Sequence, residues 1–390
     1  MPAIDLAKWV RPGDGVVVGQ CCGEPTPLLD ALIDQAPAIG DIRVFAGMTF
    51  GSQLAKRVQG LEVTSYGALG QTAKIPGLRI VPCHFSALPQ LFARRVLPGD
   101  VAMIQVAPPD ARGRCSLGVT VDYLADALPH ARVVIAEIND RCPRTNGAWI
   151  DRDRIDVAVE TSRALVRAPP VAPGEREERI AAHVAELVSD GDSIQLGVGA
   201  LPEAILGALT RHRDLGVHSG MISNAVLGLI DAGAVTNARK GRDAGQTVTG
   251  AALGDATLFA AVDERDDVRF APVSYTHAPG VLAEIGPLCA INSAIEVDLT
   301  GQANAEAVNG RQIGAVGGQV DFLRAARAHG GRAILALPAE RIVRSLAGPV
   351  TTSRADVDWV VTENGARSLA GLSDAGRERA LLEIAGGEAA

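Results

Sequence analysis

Aromatic side chains make up only 3% of this 390-residue chain, so its cores must be built from Ala, Val, Leu and Ile. Positive charge is also in short supply: 37 Lys and Arg stand against 45 Asp and Glu, a net charge of −8. That balance offers no general attraction to nucleic acid or to anionic membranes, while leaving room for a local basic pocket. No apolar run is long enough to span a bilayer, and the stretch from Met1 to Pro12 lacks the basic and apolar regions of a signal peptide. The six cysteines, at 21, 22, 83, 115, 142 and 289, form no C-x-x-C pair, which argues against a zinc site or a disulfide framework. The neighbours Cys21 and Cys22 read as small buried residues. The expectation is a cytoplasmic protein with no metal, no nucleic-acid partner and no membrane association. What is present is ordinary for a soluble enzyme: 47% hydrophobic and 21% charged residues, a composition that argues against disorder.

Short apolar runs alternate with helical patterns along the whole chain. Gly15–Gly19, Ile42–Phe45, Glu62–Ser65, Ile80–Pro82, Val101–Val106 and Val133–Ile138 read as strands, the last two as continuous apolar runs buried on both faces. Pro27–Ala36 and Val121–Ala127 read as helices between them, with Leu54–Val58 a possible short one. This rhythm predicts a mainly parallel sheet covered by helices. The segment Ala168-Pro169-Pro170-Val171-Ala172-Pro173-Gly174 continues neither a helix nor a central strand. It places a boundary between a domain at 1–170 and a second at 175–390. The second half restarts the same grammar, with a helix over Arg176–Ser189 and another over Met221–Ala232. Extended segments follow at Thr247–Gly250, Ala290–Ile291 and Ile295–Leu299. A helix at Gln319–Ala328 and strands at Ala333–Leu337 and Val357–Thr362 complete it.

One stretch stands out. Ser193–Leu196 is a short buried strand, Gly197-Val198-Gly199 a glycine turn, and Ala200-Leu201-Pro202 the start of a helix with proline in its first turn. The free N–H groups of such a helix start face the strand end, a ready site for an anion or a developing oxyanion. A plain strand–turn–helix joint has the same pattern. A second glycine turn, Ile313–Gly318, feeds the helix at Gln319.

The chain resembles the acetyl-CoA hydrolase/transferase family, which includes the 4-hydroxybutyrate and acetate CoA-transferases. The resemblance rests on Ile291-Asn292-Ser293-Ala294-Ile295-Glu296-Val297-Asp298-Leu299-Thr300-Gly301-Gln302 and on Gly317-Gly318-Gln319-Val320-Asp321-Phe322. His84-Phe85-Ser86, Gln105–Asp110, Gly113–Tyr123 and Val360–Gly365 add to it in matching order. It implies two open, mainly parallel-sheet α/β domains of CoA-transferase (NagB/RpiA-like) type. It also implies self-association as a homodimer or higher homo-oligomer. The substrates implied are an acyl-CoA and a small acceptor (a carboxylate, water or another nucleophile), with coenzyme A entering as a thioester substrate and no cofactor bound permanently. Gly197, Val198, Gly199, Ala200 and Leu201 match the first CoA-binding loop of the family, and Gly317 and Gly318 the second.

The departure lies just downstream. Family members carry a nucleophilic glutamate in a His-Ser/Thr-Glu-Met segment, and here that segment is His218-Ser219-Gly220-Met221. Gly220 stands where the glutamate should be, and glycine forms neither an anhydride nor a thioester. The expectation is an enzyme that still binds an acyl-CoA but passes the acyl group directly to water, or to an amine, hydroxyl or carbon nucleophile. The missing side chain is expected to leave a small space for that acceptor. Direct attack by a neutral acceptor calls for a general base. His218 is the first candidate, with His277 and His84 as others. Glu306, just before the second glycine turn, is a candidate substitute carboxylate or simply a solvated or capping residue. Glu24 either lines the cleft or caps the helix after it. Asp321 reads as a helix N-terminal acid, and Asn292 and Gln302 as hydrogen-bonding positioners. Two further readings stay open: ordinary carboxylate CoA transfer through a carboxylate such as Glu306, and a non-catalytic CoA-binding protein.

Overall fold

The run Val101–Val106 becomes a strand with every residue buried, as does Val133–Asn139. The computed structural model describes residues 4–386 and places both strands in one sheet. That sheet comprises β1 (Gly15–Val18), β2 (Ile42–Phe45), β3 (Leu61–Ser65), β4 (Arg79–Ile80), β5 (Val101–Val106), β6 (Val133–Asn139) and β7 (Val157–Thr161). Its order is β7-β6-β5-β1-β2-β3-β4, and every pairing is parallel. A sheet of this kind is covered on both faces, which is why its central strands carry no polar alternation. The helix Thr26–Ile39 covers it with Leu28, Leu29, Leu32 and Ala36 and ends at Gly40, where φ is 77°.

A second sheet holds β8 (Ser193–Leu196), β9 (Gly216–Val217), β10 (Leu288–Ser293), β11 (Arg332–Ala336), β12 (Trp359–Thr362) and β13 (Gly365–Ser368). The order is β9-β8-β10-β11-β12-β13; only the edge strand β13 runs antiparallel. The helix Glu175–Ala185 leads into it. Its start is fixed by Glu177, whose Oε2 accepts from the Gly174 amide at 2.9 Å. Ile180 and Val184 on its inner face are buried. Leu288, Ala290, Phe322, Leu323, Ala333 and Leu335 form part of one core between strands and the helix Gln319–Ala328.

The two sheets are the cores of two compact units. One contains residues up to Pro169 together with Gly250–Tyr275; the other contains Pro170–Thr249 and the residues from Thr276 onward. The proline-rich stretch holds the first crossing between units. The return of Gly250–Tyr275 to the first unit has no counterpart in a boundary drawn from that stretch alone. Two local readings also change. Met221–Ile222 is a short strand ahead of a helix at Asn224–Asp231, not the first turn of that helix. Leu54–Val58 gives only a 3-10 turn over Gln53–Ala55. No helix among the described residues is long and apolar enough to cross a membrane.

Candidate active site

In the second unit the chain leaves β8 for β9 on one side, while β10 lies on the other. The gap between the carboxyl ends of β8 and β10 is therefore a topological switch point, where open α/β sheets bind ligands. Side chains mark it: Asn292 Nδ2 donates to Gln195 Oε1 at 2.9 Å, and Gln195 Nε2 donates back to Asn292 Oδ1 at 3.3 Å. Asn292 thus ties the two strand ends together. Gln302 instead holds a turn, donating to Asp298 Oδ2 at 2.7 Å.

The first glycine turn leaves β8 at this point. Gly199 has φ 127°, a conformation that side-chain-bearing residues rarely adopt. It directs the chain straight into the helix Ala200–Ala208, with Gly199 O accepting from Glu203 N at 3.1 Å. The first amides of that helix have no partner within it. Beside Gly197 a small cleft, open to solvent, is walled by Ile194, Leu196, Leu206 and Val217, with Ser219 and Ser223 as its hydroxyls. Ser219 Oγ donates to Leu196 O at 2.9 Å. Ser223 occupies the N-cap of the helix Asn224–Asp231 without capping it, and its buried Oγ has no hydrogen-bond partner among the described residues. Sequence reading passed over Ser223, because a serine ahead of a helix ordinarily caps it.

The second turn reaches φ 57° at Gly317, and Gly318 opens the helix Gln319–Ala328. Between this turn and Gly220 lies His277. A Cβ placed on Gly318 would come within 2.4 Å of His277 Nε2; one on Gly220 would lie 3.0 Å from Cε1 and 3.3 Å from Nε2. The imidazole therefore uses room that a side chain at either glycine would need. The other side of the ring meets Phe322, with centroids 4.7 Å apart. This changes the picture drawn from sequence: beside Gly220 stands an imidazole, not an open space.

His277 is held from its other nitrogen, where Nδ1 and Thr276 Oγ1 are 2.8 Å apart. His218 is fully buried, and its Nε2 donates to the Thr276 carbonyl at 3.0 Å. The first-named candidate base is thus engaged in fixing the backbone that carries the second. Burial, and after it the neighbouring His218, pushes the His277 pKa down to about 3. The ring is neutral throughout the physiological range.

Glu306 is hydrogen-bonded beside the hairpin Ala307–Val308 and Arg311–Gln312. Its Oε1 accepts from Thr351 Oγ1 at 2.8 Å and its Oε2 from Gln312 Nε2 at 3.3 Å. His84 and Glu24 belong to the first unit. Glu24 is buried and accepts from the Phe50 amide at 2.6 Å and the Gly51 amide at 3.2 Å. It ties the loop after β2 to the start of the helix Thr26–Ile39. Burial pushes its pKa up to about 7 against the opposing pull of those amides. Cys22, Cys142 and Cys289 are buried thiols pushed up to about 12, which leaves them inert as nucleophiles.

The profile of the acetyl-CoA hydrolase/transferase N-terminal domain matches residues 1–167, and that of the C-terminal domain matches residues 254–389. The first glycine turn and Gly220 lie between the two matches. The 4-hydroxybutyrate coenzyme A transferase of Clostridium kluyveri is 41% identical over 315 residues, covering 78% of this chain and 73% of the relative. The crystal structure of RipA from Yersinia pestis superposes with a TM-score of 0.92 at 32% identity, covering 98% of this chain and 92% of that one. The 4-hydroxybutyrate CoA-transferase of Porphyromonas gingivalis gives 0.85 at 31% identity with the same coverage. The chain belongs to the acetyl-CoA hydrolase/transferase family and is an enzyme of CoA thioesters.

Proposed function

We propose that the protein transfers the acyl group of a CoA thioester directly to an acceptor, by hydrolysis or acyl transfer, without a glutamyl-CoA intermediate. The observation that carries this reading is the pairing of Gly220 with His277. Glycine supplies no nucleophile at the position that matches the family glutamate, and the His277 ring lies tightly against it, Nε2 3.3 Å from where a Cβ would stand.

The chemistry then divides among residues of the second unit. The amides that open the helix at Ala200, and the turn at Gly317 and Gly318, receive the thioester carbonyl and the charge that forms on its oxygen. The acceptor attacks the carbonyl carbon, the C–S bond breaks, and CoA leaves as a thiolate. With Nδ1–H donating to Thr276 Oγ1, Nε2 of His277 presents its lone pair to the acceptor. A group with a pKa near 3 is a poor base at pH 7. Negative charge developing on the carbonyl oxygen raises its proton affinity, so the ring takes the acceptor proton as that charge forms and returns it to the thiolate. His218 is a positioning residue that holds Thr276 and lowers the basicity of the resting ring.

Ordinary CoA transfer would need a carboxylate in place of the missing one. Glu306 is the candidate, and in the resting structure its oxygens accept from Thr351 and Gln312. The acceptor is found by incubating the protein with a panel of acyl-CoAs, with and without acetate, and following CoA and acyl products by mass spectrometry. Free CoA formed without acetate supports direct transfer to water. New acyl-CoA formed only when a carboxylate is supplied overturns the proposal. Tight CoA binding without turnover would leave a binding protein.

A further inference from the structure

The first unit carries a basin with about 860 Å³ of empty space, part of it open to solvent, whose rim includes Arg141, Arg144 and Arg167. Its floor is apolar, formed by Leu165 and Phe259 among small residues. Arg144 is partly spoken for, since Glu264 lies 3.9 Å from its Nη1. The exposed side chains of Arg141 and Arg167 pair with no carboxylate among the described residues. Of the two acids on the rim, Asp263 accepts from the Arg144 amide at 2.7 Å, and Asp140 is exposed.

The walls are fixed before any ligand arrives. Asn139 Oδ1 accepts from the amides of both Arg141 and Arg163, at 3.2 and 3.1 Å, which pins two loops together. The Ala168 amide, next to Arg167, donates to Gly254 O at 3.0 Å. Two guanidiniums without a carboxylate partner among the described residues stand above an apolar floor. Guanidinium forks recognise phosphate oxygens in bidentate fashion, and an apolar floor takes the face of a ring.

We propose that this basin binds a phosphate-bearing nucleotide, with Arg141 and Arg167 on the phosphate and the Leu165 and Phe259 floor under the base. The same chemistry is carried by a free adenine nucleotide and by the nucleotide end of coenzyme A; the second source rests on the chain being an acyl-CoA enzyme.

The test is calorimetric titration of the full chain with adenosine 3′,5′-bisphosphate, inorganic phosphate and CoA. It is run on the wild type and on the Arg141→Ala/Arg167→Ala double variant, whose folding is checked by circular dichroism. The bisphosphate should bind more tightly than inorganic phosphate, and the double variant should weaken it roughly tenfold or more. If CoA weakens in parallel, its nucleotide end occupies the basin; if CoA is unaffected while the bisphosphate is lost, the occupant is a free nucleotide. Absence of bisphosphate binding, or equal binding by wild type and double variant, overturns the proposal. None of these readouts depends on turnover, so a failure here is distinct from a failure of direct acyl transfer at Gly220.

Discussion

The imidazole of His277 lies against Gly220, its Nε2 3.3 Å from the place a Cβ on that glycine would take. The substitution Gly220→Glu, made alone, therefore meets the ring. Gly220 has an ordinary backbone φ, so strain is not the obstacle; the neighbour is. The single variant should form little glutamyl-CoA adduct, whereas Gly220→Glu combined with His277→Ala should form one that borohydride or hydroxylamine traps. An adduct of equal yield in both would mean that the ring gives way freely.

Gly318→Ala probes the other side of the same ring. Its Cβ would come within 2.4 Å of Nε2, so the imidazole must leave its seat. Loss of a positioned proton-transfer group lowers turnover by on the order of 10²-fold or more. The variant should lose about as much as His277→Ala, and the double variant should be no worse than either single one. Additive losses in kcat would separate the two residues.

His218→Ala removes the donor to the Thr276 carbonyl. A buried acceptor left unsatisfied costs about 1–3 kcal/mol, measurable as a shift in the urea midpoint. A merely structural role stops there. A positioning role also raises the His277 pKa, because His218 helps hold it down; NMR titration of the His277 ring should move upward from about 3.

Glu24 sets a pH signature of stability in the first unit. Its pKa is raised from 4.5 to about 7 in the folded state. The stability this contributes is complete below 4.5 and is lost as pH rises to about 7, because the unfolded chain releases its proton first. The loss is about 3 kcal/mol. Glu24→Gln should gain on the wild type across that window in urea unfolding, while Asp122, also raised to about 7, leaves a similar slope in both. Parallel curves for the two proteins would contradict the assignment.

Much of this was legible in the residues. Val101–Val106 and Gln319–Ala328 show their observed ends in the sequence, the first as an unbroken apolar run and the second by the glycine turn that feeds it. Two mainly parallel sheets followed from the same rhythm. Met221–Ile222 was read as helix because an apolar pair beside a helical pattern fits either period. The edge strand Gly365–Ser368 has no apolar alternation to betray it. The seat of His277 was illegible for another reason: its two glycine neighbours lie far away in sequence on either side, and only the packed fold brings them to one ring. The return of Gly250–Tyr275 to the first unit is not announced by a proline-rich stretch like the one at Ala168–Gly174.

The central claim is that no covalent enzyme–CoA species forms, and intact-protein mass spectrometry after mixing with acetyl-CoA addresses it most directly. Direct transfer predicts a protein of unchanged mass while free CoA accumulates with water or another non-carboxylate nucleophile as the acceptor. A protein that gains the mass of CoA, reversed by adding acetate, would contradict it.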